Sequence, residues 1–123
     1  MEAEQNLKLM RRTLDAFVSG DTATLSQVFA QDIVWRVPGR SFLSRDYVGQ
    51  AEVFGFFGQI MEQTGGTFRV HSLAMLADSS GGVFVDRLTA ERNGRKLDVR
   101  LCLSVAISGG RITEGIDHFH QEH

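Results

Sequence analysis

The chain has 123 residues, a formal net charge of -2, 42% hydrophobic residues and 23% charged residues. This length and balance predict one globular domain over residues 1–123, and the slightly acidic charge argues against a nucleic-acid or anionic-membrane partner. The apolar runs are far shorter than the roughly 20 residues that cross a bilayer, and the acidic start Met1–Gln5 lacks the features of a signal peptide. We therefore expect a cytoplasmic protein.

The first part of the chain predicts two helices and a strand. Apolar residues recur every three or four positions from Ala3 to Ser19, which predicts an amphipathic helix that ends at Gly20. Asp21 is a suitable N-cap for a second, shorter helix. The β-branched and aromatic residues of the segment Asp32–Val37 predict a strand that stops at a Pro-Gly turn.

The middle of the chain contains a third predicted helix. The segment Arg40–Val48 has no clear periodicity, and we expect it to be irregular. From Gln50 to Gln63, apolar residues return to helical spacing, and a Gly-Gly pair follows shortly afterwards.

Four strands are predicted to complete the chain, with glycine-containing turns between them. The Asn93-Gly94 pair is a strong signal for a hairpin. Helices followed by a run of strands predict an α+β fold in which one curved antiparallel sheet wraps over the helices. The predicted strands are Thr67–Leu76, Val83–Arg92, Arg95–Ser108 and Arg111–His120.

The last predicted strand carries a carboxylate in apolar company. Alternation places Asp117 on the same face as Gly115 and Phe119. A carboxylate held against apolar walls has a raised pKa, which makes it a usable proton acceptor or donor near neutral pH. Alternatively, Asp117 lies at a wet strand end and has no such role.

A second carboxylate is expected on the inner face of the sheet. Alternation groups Asp86 with Phe84 and Leu88, and we place this set inside. On the next strand, Leu101 belongs to the face that points at the helices. Two carboxyls in one cavity would have pKa values that move apart, one neutral and one ionised. In the alternative, Asp86 pairs with a nearby arginine on the surface.

Several other residues are candidates for a site. Trp35 is the only tryptophan and forms either a pocket wall or part of the core, where its indole N–H could anchor a ligand oxygen. His71 is either an acid/base group in the pocket or a half-buried, hydrogen-bonded histidine. Cys102 is the only cysteine, so an internal disulfide is excluded. The terminal histidines, His118 among them, are a weak metal signal, and we expect no metal.

The order of elements and the ending G-R-I-T-E-G-I-D-H-F resemble the nuclear transport factor 2-like superfamily. Within it, the chain is most similar to the SnoaL-like branch of polyketide cyclases, ketosteroid isomerase-like proteins and limonene epoxide hydrolase-like enzymes. The resemblance covers essentially the whole chain. It implies a cone-shaped sheet wrapped around the N-terminal helices, a closed apolar pocket, no cofactor, and commonly a homodimer formed through the outer face of the sheet.

The resemblance also assigns roles to residues. Asp117 matches the acid/base aspartate of the last strand, and Asp86 matches the first carboxylate of the Asp-Arg-Asp set of the epoxide hydrolases. The arginine of that set falls on Phe84, so the set is incomplete. The early carboxylate base of ketosteroid isomerases would fall near Arg36, where there is none. SnoaL-type cyclases also use a histidine, for which His71 and His118 are the possible stand-ins.

These features predict an acid/base enzyme that acts on a hydrophobic, oxygenated small molecule by isomerisation, cyclisation or epoxide opening. Asp117, with Asp86 or His71, would carry the chemistry. A non-catalytic small-molecule binder and a dimerisation module that uses the outer sheet face are the alternatives. The residues expected to shape the ligand pocket are Trp35, Phe57, Phe84, Leu101 and Phe119.

Overall fold

Three helices and six strands make up the computed structural model, which describes residues 2–40 and 43–119. The helices are α1 (Glu2–Ser19), α2 (Thr22–Val28) and α3 (Gln50–Gln63). The strands are β1 (Phe29–Val37), β2 (Arg45–Val48), β3 (Arg69–Ala77), β4 (Gly81–Arg92), β5 (Arg95–Ser108) and β6 (Arg111–Phe119). No helix in the described ranges is long and apolar enough to cross a membrane. The bounds of α3 and β5 match those predicted from the sequence.

The ends of the helices follow from local chemistry. Gly20, with a φ of 72°, adopts the left-handed conformation that closes α1. Asp21 caps α2, because its carboxylate accepts a hydrogen bond from the Thr24 backbone N–H at 3.0 Å. The first residue of α3, Gln50, donates from its side chain to the carbonyl oxygens of Ser26 and Phe29, both at 3.0 Å. These bonds fix the start of α3 against the junction of α2 and β1.

The six strands form one curved, unclosed sheet in the order β2-β1-β6-β5-β4-β3. The expectation of a wholly antiparallel sheet is wrong at one place, since β1 and β6 are paired in parallel. The expectation of an irregular segment before α3 is also wrong, because Arg45–Val48 forms β2 against β1. Tyr47 of β2 is buried there, and its ring contacts that of Phe56 of α3 with centroids 4.5 Å apart.

The helices cover one face of the sheet, and the core lies between the two layers. The facing predicted for β1, β4 and β5 is confirmed: Trp35 of β1, Phe84 and Asp86 of β4, and Leu101 of β5 are all buried. Met10 of α1 is fully buried and packs against Gly82 of β4, where a Cβ atom would approach the Met10 sulfur to 2.5 Å. The glycine is needed because α1 comes this close to the sheet.

A bulge interrupts the edge strand β3. Ser72 pairs with Asp86 and Ala74 with Val85, so Leu73 is an extra residue with no partner on β4. The bulge reverses the alternation along the strand. As a result, Met75 packs against the core, whereas His71, two residues before the bulge, lies on the outer face.

Candidate active site

A cavity of about 430 Å³ lies between the helices and the inner face of the sheet. Its volume falls in the range of small-molecule sites, and its walls are mostly aliphatic and aromatic. The polar groups at its surface include Thr13, Gln63, Arg40 and the two aspartates Asp86 and Asp117. Leu97, which is 46% exposed, also lines the cavity. The cavity is thus apolar with two ionisable acids in its wall.

Asp117 has the higher pKa of the two acids in the cavity wall. It lies on β6 opposite Leu103 of β5, and only 4% of its surface is exposed. Burial disfavours the charged form and raises the pKa of Asp117 to about 7, while the nearby Trp35 indole N–H acts in the opposite direction. At neutral pH this carboxyl is therefore divided between its neutral and ionised forms.

Trp35 owes its position to a glycine. It lies beside Gly115 in the parallel pairing of β1 with β6, and its ring rests on that residue. A Cβ atom at position 115 would come within 2.7 Å of the Trp35 Cε3 atom. On another side, Phe57 of α3 meets the indole in a T-shaped contact with ring centroids 5.4 Å apart. The indole is thereby clamped between the sheet and the helix.

The polar edge of Trp35 is buried without a well-formed hydrogen bond. Its Nε1 atom has no partner of ordinary hydrogen-bond geometry in the described part of the chain. It nevertheless lies near enough to Asp117 to stabilise the ionised carboxylate. A buried donor left in this state is available to an oxygen atom that enters the cavity.

Asp86 is the second acid of the cavity wall. It is paired with Leu101 in the β4–β5 ladder and is 4% exposed. Burial raises the pKa of Asp86 to about 6. Its Oδ1 atom is buried and accepts no hydrogen bond from any described residue. The expectation that Asp86 faces the cavity is confirmed, and the alternative of a surface ion pair is wrong.

The two acids lie on one cavity but are not neighbours. Strand β5 runs between them, with Leu101 opposite Asp86 and Leu103 opposite Asp117. Both pKa values move upward through burial, and the charge of one acid is not the cause of the shift of the other. The expected separation of the two pKa values, into one neutral and one ionised acid, stays a prediction.

His71 does not belong to this cavity. It is exposed on the outer face of the sheet, where its Nε2 atom lies 3.0 Å from the Thr89 hydroxyl. Strict alternation along β3 would place His71 on the same face as Met75, and the bulge at Leu73 separates them. The expected acid/base role of His71 inside the pocket is wrong on position. Among the stand-ins, His118 is also exposed, with its Nε2 atom 3.0 Å from the Ser104 hydroxyl.

Most of the residues predicted to shape the pocket lie in the cavity wall. Phe57, Phe84 and Leu101 line the cavity, as does Trp35. Phe119 ends β6, but its side chain lies outside the described residues, as do His120 and the C-terminal residues after it.

Sequence reasoning missed the role of Gly115, although a glycine inside a strand is a recognised sign that another group approaches closely. It also missed the part of the wall that α1 supplies, which includes Phe17.

The outer face of the sheet has a different character. Arg87 and Asp98 form an ion pair there at 2.6 Å, and Arg36 bridges Asp46 and Glu114 from β1. Cys102 is exposed on the same face. The described ranges contain no group of three or more His, Cys, Asp or Glu residues that could hold a metal ion.

Residues 10–115 match the SnoaL-like domain family, and the chain belongs to that family. An uncharacterized protein of Mycobacterium tuberculosis is 39% identical over 114 residues, which cover 92% of this chain and 87% of the relative. The structure of Bal32a, from a soil-derived mobile gene cassette, is also 39% identical. It superimposes with a TM-score of 0.94 and covers 98% of this chain and 93% of its own.

More distant structures share the fold alone. A protein of Jannaschia sp. CCS1, provisionally named a SnoaL-like polyketide cyclase, superimposes with a TM-score of 0.82 at 14% identity. The aligned region covers 95% of this chain and 86% of that protein. The match of residues 10–115 confirms the resemblance to the SnoaL-like branch, whose fold these more distant structures share.

Proposed function

We propose that this protein is an acid/base enzyme that needs no cofactor and moves a proton on a hydrophobic, oxygenated small molecule. The observation that carries the proposal is Asp117, a carboxyl that is 4% exposed in a 430 Å³ apolar cavity and has a pKa near 7. A group whose pKa lies close to the ambient pH can both accept and return a proton. A solvated aspartate would be a far weaker base.

The geometry supports chemistry at a carbon next to a carbonyl group. Ionised Asp117 takes a proton from that carbon, and the electron pair of the C–H bond moves into the carbonyl group to form an enolate. The Trp35 N–H, which is buried beside Asp117, stabilises the negative oxygen. Return of the proton to a different carbon gives isomerisation. Attack of the enolate carbon on a second carbonyl group gives aldol cyclisation, and the proton then passes to the new alkoxide.

Other residues of the cavity support this chemistry. Asp86 hydrogen-bonds an oxygen of the substrate, while Phe57, Phe84 and Leu101 hold its apolar body. Burial of the site excludes water, which strengthens the electrostatic contacts within it. The name of the related fold from Jannaschia sp. CCS1 is consistent with cyclisation of a polyketide-like substrate.

Epoxide opening receives less support from the same cavity. Phe84 occupies the position at which the resemblance places an arginine, and it is buried in the wall. Within the described ranges, Arg40 is the arginine that lines the cavity, and it comes from an exposed loop. The acids therefore lack a buried cation beside them, and proton transfer at carbon is the better match.

Proton exchange into a model ketone tests the proposal. The α-hydrogens of 2-tetralone exchange with deuterium in D₂O, and proton NMR follows their loss. We expect the wild type to accelerate exchange well above the buffer rate and Asp117→Asn to reduce the acceleration by about a hundredfold or more. Asp32→Asn, a change of an exposed aspartate, is the matched control and should exchange like the wild type.

A non-catalytic binding protein is the alternative that the same cavity allows. Trp35 is the only tryptophan and lines the cavity, so quenching of its fluorescence reports binding directly. If 2-tetralone quenches Trp35 in the wild type while exchange stays at the buffer rate, the ketone binds without turnover. That result would replace the enzyme with a ligand-binding protein.

A further inference from the structure

Two buried polar atoms in the cavity wall lack a hydrogen-bond partner in the described part of the chain. They are Nε1 of Trp35 and Oδ1 of Asp86. Both residues line the cavity, and each is more than nine-tenths buried, at 6% and 4% exposure. Buried polar groups are normally paired, because an unpaired one loses its hydrogen bonds to water and gains nothing in return. A pair of such atoms in one cavity points to a bound molecule that satisfies them.

The two atoms require different functions from a ligand. An indole Nε1–H can only donate, and the neighbouring Asp117 carboxyl does not form a well-formed hydrogen bond with it, so Trp35 requires a ligand acceptor such as a carbonyl oxygen. An ionised carboxylate can only accept, so above neutral pH Asp86 needs a ligand donor such as a hydroxyl group. A ligand with a single acceptor oxygen cannot satisfy both.

The sheet register places Trp35 and Asp86 far apart along the cavity wall. Trp35 is level with Gly115 of β6, Val105 of β5 and Gly82 of β4. Asp86 therefore lies three strands across and four residues further along. With strands about 4.8 Å apart and about 3.4 Å per residue, the two Cα atoms would be roughly 20 Å apart in a flat sheet. Curvature and the length of the indole shorten the gap, but one ligand atom cannot reach both groups.

The wall between Asp86 and the end of the cavity that holds Trp35 and Asp117 is apolar. Leu101 and Leu103 of β5 lie between the two acids, and Phe84 lines the same region. Each of these side chains offers only van der Waals contact. The middle of the bound molecule is therefore apolar, and its polar groups lie at its two ends.

We infer that the ligand is a hydroxy-ketone of about two fused rings, whose carbonyl oxygen accepts from Trp35 Nε1 and whose distal hydroxyl donates to Asp86 Oδ1. This inference rests on the proposed function and narrows its substrate class. In this arrangement the carbonyl group lies beside Asp117, where proton transfer occurs. Asp86 recognises the far end of the same molecule and thereby fixes which carbon faces Asp117.

A matched set of ligands tests this arrangement. The probes are 6-hydroxy-2-tetralone, 2-tetralone and 6-methoxy-2-tetralone, in which a methyl group replaces the hydroxyl hydrogen of the first and removes the donor. Dissociation constants come from quenching of Trp35 fluorescence at pH 7.5. We expect the wild type to bind the hydroxy compound about tenfold more tightly than either of the others, as for one buried hydrogen bond.

Variants show which residue reads the hydroxyl group. Asp86→Leu should bind the hydroxy compound about as tightly as the other two probes. Asp86→Asn, whose amide oxygen still accepts a hydrogen bond, should bind the hydroxy compound at least threefold more tightly than the others. Asp117→Asn should keep the full preference. Retention of the preference in Asp86→Leu, or its absence in the wild type, would overturn the inference. Should Asp86→Leu fail to fold, the Asp86→Asn and Asp117→Asn comparison still decides, since equal losses in both would place the hydroxyl group elsewhere.

A failure of this inference can be distinguished from a failure of the proposed function. The preference is an equilibrium measurement, whereas the proposed function is tested by deuterium exchange that depends on Asp117. Exchange without a hydroxyl preference would leave the enzyme standing and remove this substrate class. A preference without exchange would leave a hydroxy-ketone binder that does not turn its ligand over.

Discussion

The indole of Trp35 lies against Gly115, so that a Cβ atom at that position would be 2.7 Å from Cε3 and 2.8 Å from Cζ3. Asp117 follows two residues later on the same face of the strand. A single strand segment thus provides both the support for the tryptophan and the acid beside it. The position of the Trp35 N–H in the cavity depends on the missing side chain at residue 115.

Gly115→Ala is expected to move Trp35. The added methyl group cannot fit at 2.7 Å, so the indole or β1 must shift, at a cost of about 1–3 kcal/mol in the free energy of unfolding. Urea unfolding gives the free energy, and the Trp35 emission maximum reports the changed environment. Gly58→Ala in α3 is the control: nothing lies within 4 Å of its added Cβ, and alanine favours the helix by about 0.5–1 kcal/mol. Equal stability of both variants would contradict the close contact.

The two buried acids predict an unusual dependence of stability on pH. Their folded-state pKa values are raised to about 6 and about 7 from 3.8, so the folded protein holds protons that the unfolded chain releases. The contribution of these two acids to the free energy of unfolding should be highest below about pH 4, fall as the pH rises from 4 to 7, and level off above that. The share of Asp117 is on the order of 4 kcal/mol.

Urea unfolding at pH 4.5, 6 and 8 measures this dependence. In Asp117→Asn, which cannot ionise, the decline should be shallower than in the wild type, and the variant should be the more stable protein at pH 8. Asp32→Asn, at an exposed position, should follow the wild-type curve. Parallel curves for the wild type and Asp117→Asn would show that this carboxyl is not desolvated.

Replacing His71 is expected to leave the cavity intact. His71 is exposed on the outer face and contacts the Thr89 hydroxyl, so His71→Ala should change deuterium exchange and ligand affinity by less than about threefold and stability by about 0.5 kcal/mol or less. The exchange assay and Trp35 quenching measure the first two. A loss comparable with that in Asp117→Asn would return His71 to the active site.

The outer face of the sheet is expected to form a homodimer. Arg100 is exposed there on β5, paired across the ladder with Arg87 of β4. Light scattering should give a mass of roughly 27 kDa, twice the 13.7 kDa of the chain. Arg100→Glu should shift the protein toward the monomer, with Trp35 quenching retained. A monomeric wild type would refute the expected interface.

Much of the fold follows from patterns within single elements. Helical spacing gave α3 its observed bounds, and alternation with an Asn-Gly turn did the same for β5. Strand β2 could not be predicted in this way, because its four residues carry little periodicity and owe their conformation to pairing with β1. The parallel pairing of β1 with β6 depends on how the chain crosses the molecule, which no local pattern records.

The sequence also predicted which face of the sheet several of the site residues occupy. Alternation sufficed to place Asp86, Trp35 and Asp117 on the inner face. Alternation failed for His71, because one extra residue in β3 reverses which face the side chains occupy. No residue pattern in the sequence indicates this bulge. The separation of the two acids was also hidden, because it depends on strand order and register rather than on residue type.

The cavity occupies the place where a solid domain of this size would keep its central packing. Its roughly 430 Å³ lie among side chains of α1, α3, β4 and β5 that would otherwise interlock. The right small molecule therefore completes the packing of the protein, and a ligand present at a hundred times its dissociation constant adds about 2.7 kcal/mol of stability. A rise in melting temperature across a compound library would then identify the natural ligand class before any reaction is known.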